Sequence, residues 1–135
     1  MLNLLAVDDD SIDRMTLRRA LKKGGVAHRL FEAADGFAAL EILRGTTMPR
    51  ERRLVLLDIN MPRMNGLEFM RLVRADEALR HTPLLMLTTS VLASDREEAH
   101  RLNCAGYFVK PLGFDVFVEV LRTIDQYWSR VTFPP

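Results

Sequence analysis

The sequence predicts an α/β protein of the (βα)5 class, a doubly wound, five-stranded parallel sheet with helices on both faces. Three observations carry the prediction. Short apolar runs alternate five times with segments of helical period. The apolar runs are continuous, as strands buried on both faces require, and such strands occur in parallel sheets joined by helical crossovers. Four of the five runs end in polar residues, which in a parallel sheet would all lie on one edge.

The elements follow in order. Leu2–Val7 is an apolar run ending in Asp8, Asp9 and Asp10, and predicts a buried strand. Ser11–Lys23 carries Leu17, Ala20 and Leu21 among basic residues, and Gly24 and Gly25 stop that helix. His28–Ala33 predicts a second strand. Residues 37–43 predict a second helix, with Ala39, Leu40 and Leu43 inward and Gly45 at its end. Residues 46–53 hold a Pro and three Arg and predict a surface loop. Residues 54–57 form a third apolar run ending at Asp58. Gly66–Ala75 predicts a helix with Leu67, Met70 and Val73 inward. Residues 84–87 predict a fourth strand, followed by Thr88, Thr89 and Ser90. Ser94 and Glu97 have the spacing of a capping box that would open a fourth helix. Residues 107–109 predict a short fifth strand ending at Lys110 and Pro111. Phe114–Trp128 predicts a last helix whose stripe of Phe114, Phe117, Val118, Leu121, Ile124 and Trp128 faces the core.

Composition excludes several function classes. The chain has 135 residues, 48% of them apolar, which suits one well-filled core and excludes disorder. Nineteen Lys and Arg stand against eighteen Asp and Glu, so the net charge of +1 gives no electrostatic case for nucleic-acid binding. The lone Cys104 excludes an intramolecular disulfide and a Cys-rich zinc site, and reads as a small buried hydrophobe. No apolar run reaches the length of a membrane span. The N-terminus passes directly into the acidic cluster without a basic region or cleavage site, so a cytoplasmic protein without signal peptide or membrane contact is expected. His28, His81 and His100 are scattered and read as surface or strand residues.

The chemistry is predicted at the strand ends. A parallel sheet would bring Asp8, Asp9, Asp58, Thr88 and Lys110 into one pocket, beyond the carboxyl ends of the strands. Asp10 reads as a helix cap. Crowded carboxylates call for a hard divalent cation with oxygen ligands, most simply Mg²⁺ or Mn²⁺. Lys110 adds a fixed positive charge and Thr88 a neutral donor. An anion held between a cation, an ammonium and a hydroxyl describes a phosphoryl group, whose transfer depends on positioning and charge neutralisation. A carboxylate is a competent nucleophile for it.

Four blocks, Leu4–Asp10 (LLAVDDD), Leu57–Gly66 (LDINMPRMNG), Met86–Ser90 (MLTTS) and Tyr107–Pro111 (YFVKP), resemble the signature blocks of response-regulator receiver domains, which have a flavodoxin-like fold. The resemblance runs from about Leu2 to Trp128. It implies that Asp58 is the phosphoacceptor, phosphorylated by a sensor histidine kinase or a phosphotransfer protein in a Mg²⁺-dependent reaction. Asp8 and Asp9 would be the acidic pair, with Asp9 on the metal and Asp8 acting through water. Asn60 would give a backbone carbonyl. Thr88 and Lys110 would bind phosphoryl oxygens, and Thr88 with Tyr107 would form the switch. The Lys110–Pro111 bond would be cis. Thr89 departs from the family pattern, which has a small residue there, and would narrow access to Asp58.

The expected organisation is a receiver domain over residues 1–128 and a tail over residues 129–135, without an output domain. The tail and the Arg-rich loop at Pro49–Arg53 resemble those of stand-alone regulators paired with phytochrome-type histidine kinases. A regulator of that kind would signal through its own surface, and a homodimer through the fourth and fifth helices and the tail is expected. Two rivals use the same residues differently. A Mg²⁺-dependent phosphatase with an Asp nucleophile would use Asp8 and Asp10, but leaves Asp58 and the block at Tyr107–Pro111 unexplained. A degenerate receiver acting as a scaffold is opposed by the intact Asp9, Asp58, Thr88 and Lys110.

Overall fold

Strands β1 (Leu2–Val7), β2 (His28–Ala33), β3 (Arg53–Leu57), β4 (Leu84–Thr88) and β5 (Gly106–Val109) form one sheet in the order β2-β1-β3-β4-β5. The computed structural model describes residues 1–135. Every strand pair is parallel. The order steps outward from β1 in both directions, as in the flavodoxin-like doubly wound sheet that the sequence predicted. Helices α1 (Ser11–Lys23), α2 (Gly36–Arg44), α3 (Gly66–Ala75), α4 (Ala93–Arg101) and α5 (Phe114–Trp128) make the crossovers.

The side-chain period of two divides the core. Leu5 and Val7 of β1, Val55 and Leu57 of β3 and Leu84 and Met86 of β4 pack with α2 and α3. The alternate residues Leu4, Ala6, Leu54, Leu56, Leu85 and Leu87 pack with α1 and α5. The central strands β1, β3 and β4 are buried at every position, whereas the edge strands β2 and β5 are only partly covered. Each fully buried Leu contributes on the order of 1.5–3 kcal/mol.

Local chemistry sets the helix ends. Asp10 caps α1, its carboxylate accepting from the amides of Ile12 and Asp13, as its predicted capping role requires. Gly25 follows α1 at φ 68°, a conformation glycine adopts without steric cost. Asn65 and Glu68 form a capping box at α3.

Several expectations are corrected. The capping box at Ser94 and Glu97 does not exist, because α4 starts earlier with Leu92 as its uncapped N-cap residue, and Ser94 lies inside the first turn. Ser90 supports this end instead, receiving the Leu92 amide and donating to Asp95. The polar segment 46–53 is not wholly at the surface. Met48 is buried, and Arg53 opens β3 with its guanidinium donating to the carbonyls of Leu43, Met48 and Pro49. A buried cation is tolerable there because these carbonyls satisfy it. Phe114 is exposed, since the inward stripe of α5 begins a turn later at Phe117. All peptide bonds are trans, including Lys110–Pro111. A trans X–Pro bond is the intrinsically preferred form, by roughly 0.5–1 kcal/mol, and Lys110 reaches the site without the cis form.

Cys104 is half-buried rather than fully buried, packing beside the α3 cluster with its thiol 3.6 Å from His100 Nδ1. The tail folds back on its own subunit. Phe133 lies 5.3 Å from the Trp128 ring, centroid to centroid, and the Arg52 guanidinium sits 5.0 Å over the Phe133 ring while donating to the Trp128 carbonyl. Val131 and Phe133 are therefore half-buried within one chain.

Candidate functional site

The strand register builds the site. Val7 aligns with Leu57 across β1 and β3, Leu57 with Met86 across β3 and β4, and Thr88 with Val109 across β4 and β5. The residues that follow these positions, Asp8, Asp58 and Lys110, together with Thr88 itself, are thereby delivered to one edge. Backbone bonds fix the approach: the Asp58 amide donates to the Val7 carbonyl at 3.0 Å, and the Lys110 amide to the Thr88 carbonyl at 2.8 Å.

Asp58 is 6% exposed and both of its oxygens are engaged. Oδ1 accepts from the Thr88 hydroxyl at 2.6 Å and from the Asn60 amide at 3.3 Å. Oδ2 faces the Lys110 ammonium at 3.3 Å. Thr88 is fully buried, and its oxygen also accepts from the amides of Ile59 and Ser90, so its hydroxyl proton is directed at Asp58. Asp8 is buried, with one oxygen accepting from the Asp10 amide and the other from Lys110 at 2.6 Å. Asp9 is exposed, and its carboxylate comes within 4.8 Å of ligand atoms of Asp8 and Asp58.

Gly66 closes the far side of the loop that carries Asp58. Its amide donates to the Ile59 carbonyl. A Cβ there would run into the backbone of Asp58 and Ile59, so no side chain fits. The helix α3 thus packs directly against the loop that carries Asp58.

The sequence prediction brought together Asp8, Asp9, Asp58, Thr88 and Lys110, and the structure does the same. It missed Asp13, which lies in the first turn of α1 and accepts from Lys110 at 2.9 Å. The available signal was helical spacing: Asp13 follows its cap residue Asp10 by three positions and so points back over the N-terminal end. Asp10 itself is turned to the α1 amides and does not join the site. Asn60 is exposed, its side chain meeting the Thr89 hydroxyl at 3.4 Å. Tyr107 is half-buried on the core, with its hydroxyl donating to the Ser90 carbonyl at 3.1 Å.

The electrostatics are uneven. Three carboxylates, Asp8, Asp13 and Asp58, share the single ammonium of Lys110, and Asp9 lies beside Asp8 and Asp58. Burial pulls Lys110 toward the neutral form, but hydrogen bonds to Asp8 and Asp13 and the charges of Asp58 and Asp8 more than offset it, and its pKa is raised. Burial pushes the Asp8 carboxyl up against the opposing effect of its bond with Lys110. Both partners of this pair are raised because burial outweighs the ion pair at Asp8 and the ion pairs outweigh burial at Lys110. An acidic surplus of oxygen donors is the environment that a hard divalent cation suits. The donor set at Asp8, Asp9 and Asp58 therefore fits Mg²⁺ or Mn²⁺.

The family model of the response regulator receiver domain matches residues 4–122. The chemotaxis protein CheY of Pseudomonas aeruginosa is 35% identical over 125 residues, covering 93% of this chain and 97% of CheY. Among solved structures, the response regulator RPA3017 in red light signaling of R. palustris superposes with a TM-score of 0.88 at 28% identity, covering 100% of this chain and 99% of that one. The Mn²⁺-bound form of response regulator Rcp1 superposes with a TM-score of 0.83 at 27% identity over 100% of both chains. No helix is long and apolar enough to cross a membrane. The sheet order, the acidic pocket at its carboxyl edge and these likenesses agree, and the chain belongs to the response regulator receiver domain family.

Proposed function

We propose that the chain accepts a phosphoryl group on Asp58 from a phosphohistidine, carried by a sensor histidine kinase or a phosphotransfer protein, and passes the signal on through its own surface. One observation carries this reading. Asp58 is a buried carboxylate with a hydroxyl on one oxygen, an ammonium facing the other, and two more carboxylates beside it. In the transfer an Asp58 oxygen bonds to phosphorus as the phosphorus–nitrogen bond to the donor imidazole breaks. Lys110 and Thr88 hold phosphoryl oxygens. Asp9, Asp58 and the Asn60 backbone carbonyl would ligate Mg²⁺ or Mn²⁺, with Asp8 acting through water. A bound cation supplies charge neutralisation between the carboxylates and the incoming group. The chain is then the substrate of one transfer and of its own dephosphorylation, rather than a turnover enzyme.

Thr88 and Tyr107 form the switch in this proposal. The Thr88 hydroxyl already points at Asp58, and Tyr107 is tied to Ser90, two residues along the same segment. Phosphorylation shifts the population between two packings of this pair. A phytochrome-type kinase is the proposed donor, supported by the likeness to a regulator in red light signaling. The cytoplasm is the proposed setting, and a stand-alone regulator the proposed form. Homodimerisation is proposed through α4 and α5, supported by the exposed apolar residues Leu92, Phe114 and Val116 on or beside those helices.

Acetyl phosphate with Mg²⁺ is expected to add one acid-labile phosphate to the chain and none to Asp58→Asn. Undiminished labelling of that variant refutes the assignment. Continuous hydrolysis of p-nitrophenyl phosphate would instead make the chain a phosphatase.

A further inference from the structure

The Lys110 ammonium has three N–H donors and three carboxylates share them: Asp8 at 2.6 Å, Asp13 at 2.9 Å and Asp58 at 3.3 Å. The two short contacts lie on the side of β1 and α1, and the long one is to the proposed acceptor. An anion on Asp58 needs a donor from Lys110, and no donor is free. Of the three carboxylates, Asp13 can be released at least cost. Its side chain is 40% exposed, against 12% for Asp8 and 7% for Asp58. It also borders an open cleft of about 230 Å³ between Thr16, Thr89, Lys110 and Leu112, in which water can take over its hydrogen bond.

We propose that Asp13 is a positioning residue that tethers Lys110 toward α1 and thereby sets how strongly Lys110 engages an anion on Asp58. The inference rests on the phosphoacceptor reading of Asp58 and extends it to a residue outside the acidic pair, the acceptor and the switch. When the anion arrives, one ammonium donor leaves Asp13 for it and the Asp13 carboxylate turns to solvent. Removing the tether leaves Lys110 held by Asp8 and Asp58 alone, closer to where the anion sits. Asp13 thus opposes the phosphorylated state.

The test is a titration of the full chain with beryllofluoride and Mg²⁺, as wild type, Asp13→Asn, Lys110→Ala and the double variant. Asp13→Asn is expected to bind beryllofluoride about fivefold more tightly, the range of a partly exposed ion pair. In the Lys110→Ala background the same change is expected to tighten binding by less than about twofold, since only the long-range charge effect remains. The Lys110 Nζ resonance of the anion-free protein is a second readout, expected to shift in Asp13→Asn and to stay in place in Asp10→Asn. Unchanged or weaker binding in Asp13→Asn, equal tightening in both backgrounds, or an unmoved Lys110 resonance overturns the tether. If the Lys110→Ala proteins bind too weakly to titrate, the resonance decides. Failure of the wild type to bind beryllofluoride would strike the phosphoacceptor reading itself.

Discussion

Gly66→Ala tests the physical link between α3 and the loop that carries Asp58. A Cβ at this position would overlap the Asp58 carbonyl oxygen and lie 2.9 Å from the Ile59 Cα and 3.0 Å from the Asp58 carbonyl carbon. All three are backbone atoms of the loop that carries Asp58, so no rotamer change can relieve the overlap. Either α3 shifts outward or the loop does. Overpacking of this kind costs typically about 1–3 kcal/mol, and a clash made wholly with backbone belongs at the upper end, near ~2–3 kcal/mol. For a domain of this length that is a fall of about 6–12 °C in Tm. Gly36→Ala is the matched control. Its Cβ also meets an atom too closely, but that atom is the Met64 thioether sulfur, at the flexible end of a side chain. It is expected to lose less than about 1 kcal/mol. Thermal and urea unfolding of both variants measure the difference, and beryllofluoride binding is expected to weaken in Gly66→Ala alone. A Gly66→Ala protein as stable as wild type, or one more stable than Gly36→Ala, would refute the claim that the loop is held by rigid backbone contact.

Asp9→Ala is expected to weaken Mg²⁺ binding by about tenfold or more and to remove most labelling by acetyl phosphate, whereas Lys110→Ala should keep Mg²⁺ affinity and lose the response to the anion; calorimetric titration separates the two. Mg²⁺ affinity should fall with pH through the raised Asp8 value, which lies above the ordinary 3.8. The sign is fixed by the proton: a raised carboxyl holds it to higher pH, so metal competes with it over a range that starts above 3.8, and Asp8→Asn should flatten that range. By the same linkage, the contribution of Asp8 to the stability of the metal-free fold is present below 3.8 and lost as pH rises through the raised value. Thr88→Ala is expected to uncouple the Tyr107 ring from beryllofluoride binding, and a full ring-resonance change in that variant would break the switch. Sedimentation should show a dimer for both the full chain and a chain ending at Ser129, because the tail lies on its own subunit; a monomer at tens of micromolar with and without beryllofluoride removes the dimer.

Much of this protein was determined by its sequence alone. The alternation of apolar runs and helical periods is a local property, and it predicted all ten elements, with β1, α1, β2, α3 and α5 to the residue. The doubly wound parallel class followed because continuous apolar strands joined by helices leave few arrangements, and its flavodoxin-like form was implied by the resemblance to receiver domains. Asp8, Asp9, Asp58, Thr88 and Lys110 were legible because each closes or follows a strand, and a parallel sheet collects such ends on one edge. Tertiary structure alone decided the rest. Asp13 joins Lys110 only when the folded sheet brings the first turn of α1 beside the residue that follows β5, a meeting of residues 97 positions apart that no local pattern records. Arg53 looked like a surface residue because its charge reads as exposed until three loop carbonyls close around it. The tail looked free because the partners of Phe133, the Trp128 ring and the Arg52 guanidinium, are supplied by the end of α5 and the turn before β3. Local sequence sets what each segment can form, whereas the partners of a charge or a ring are set by which segments the packed sheet brings side by side.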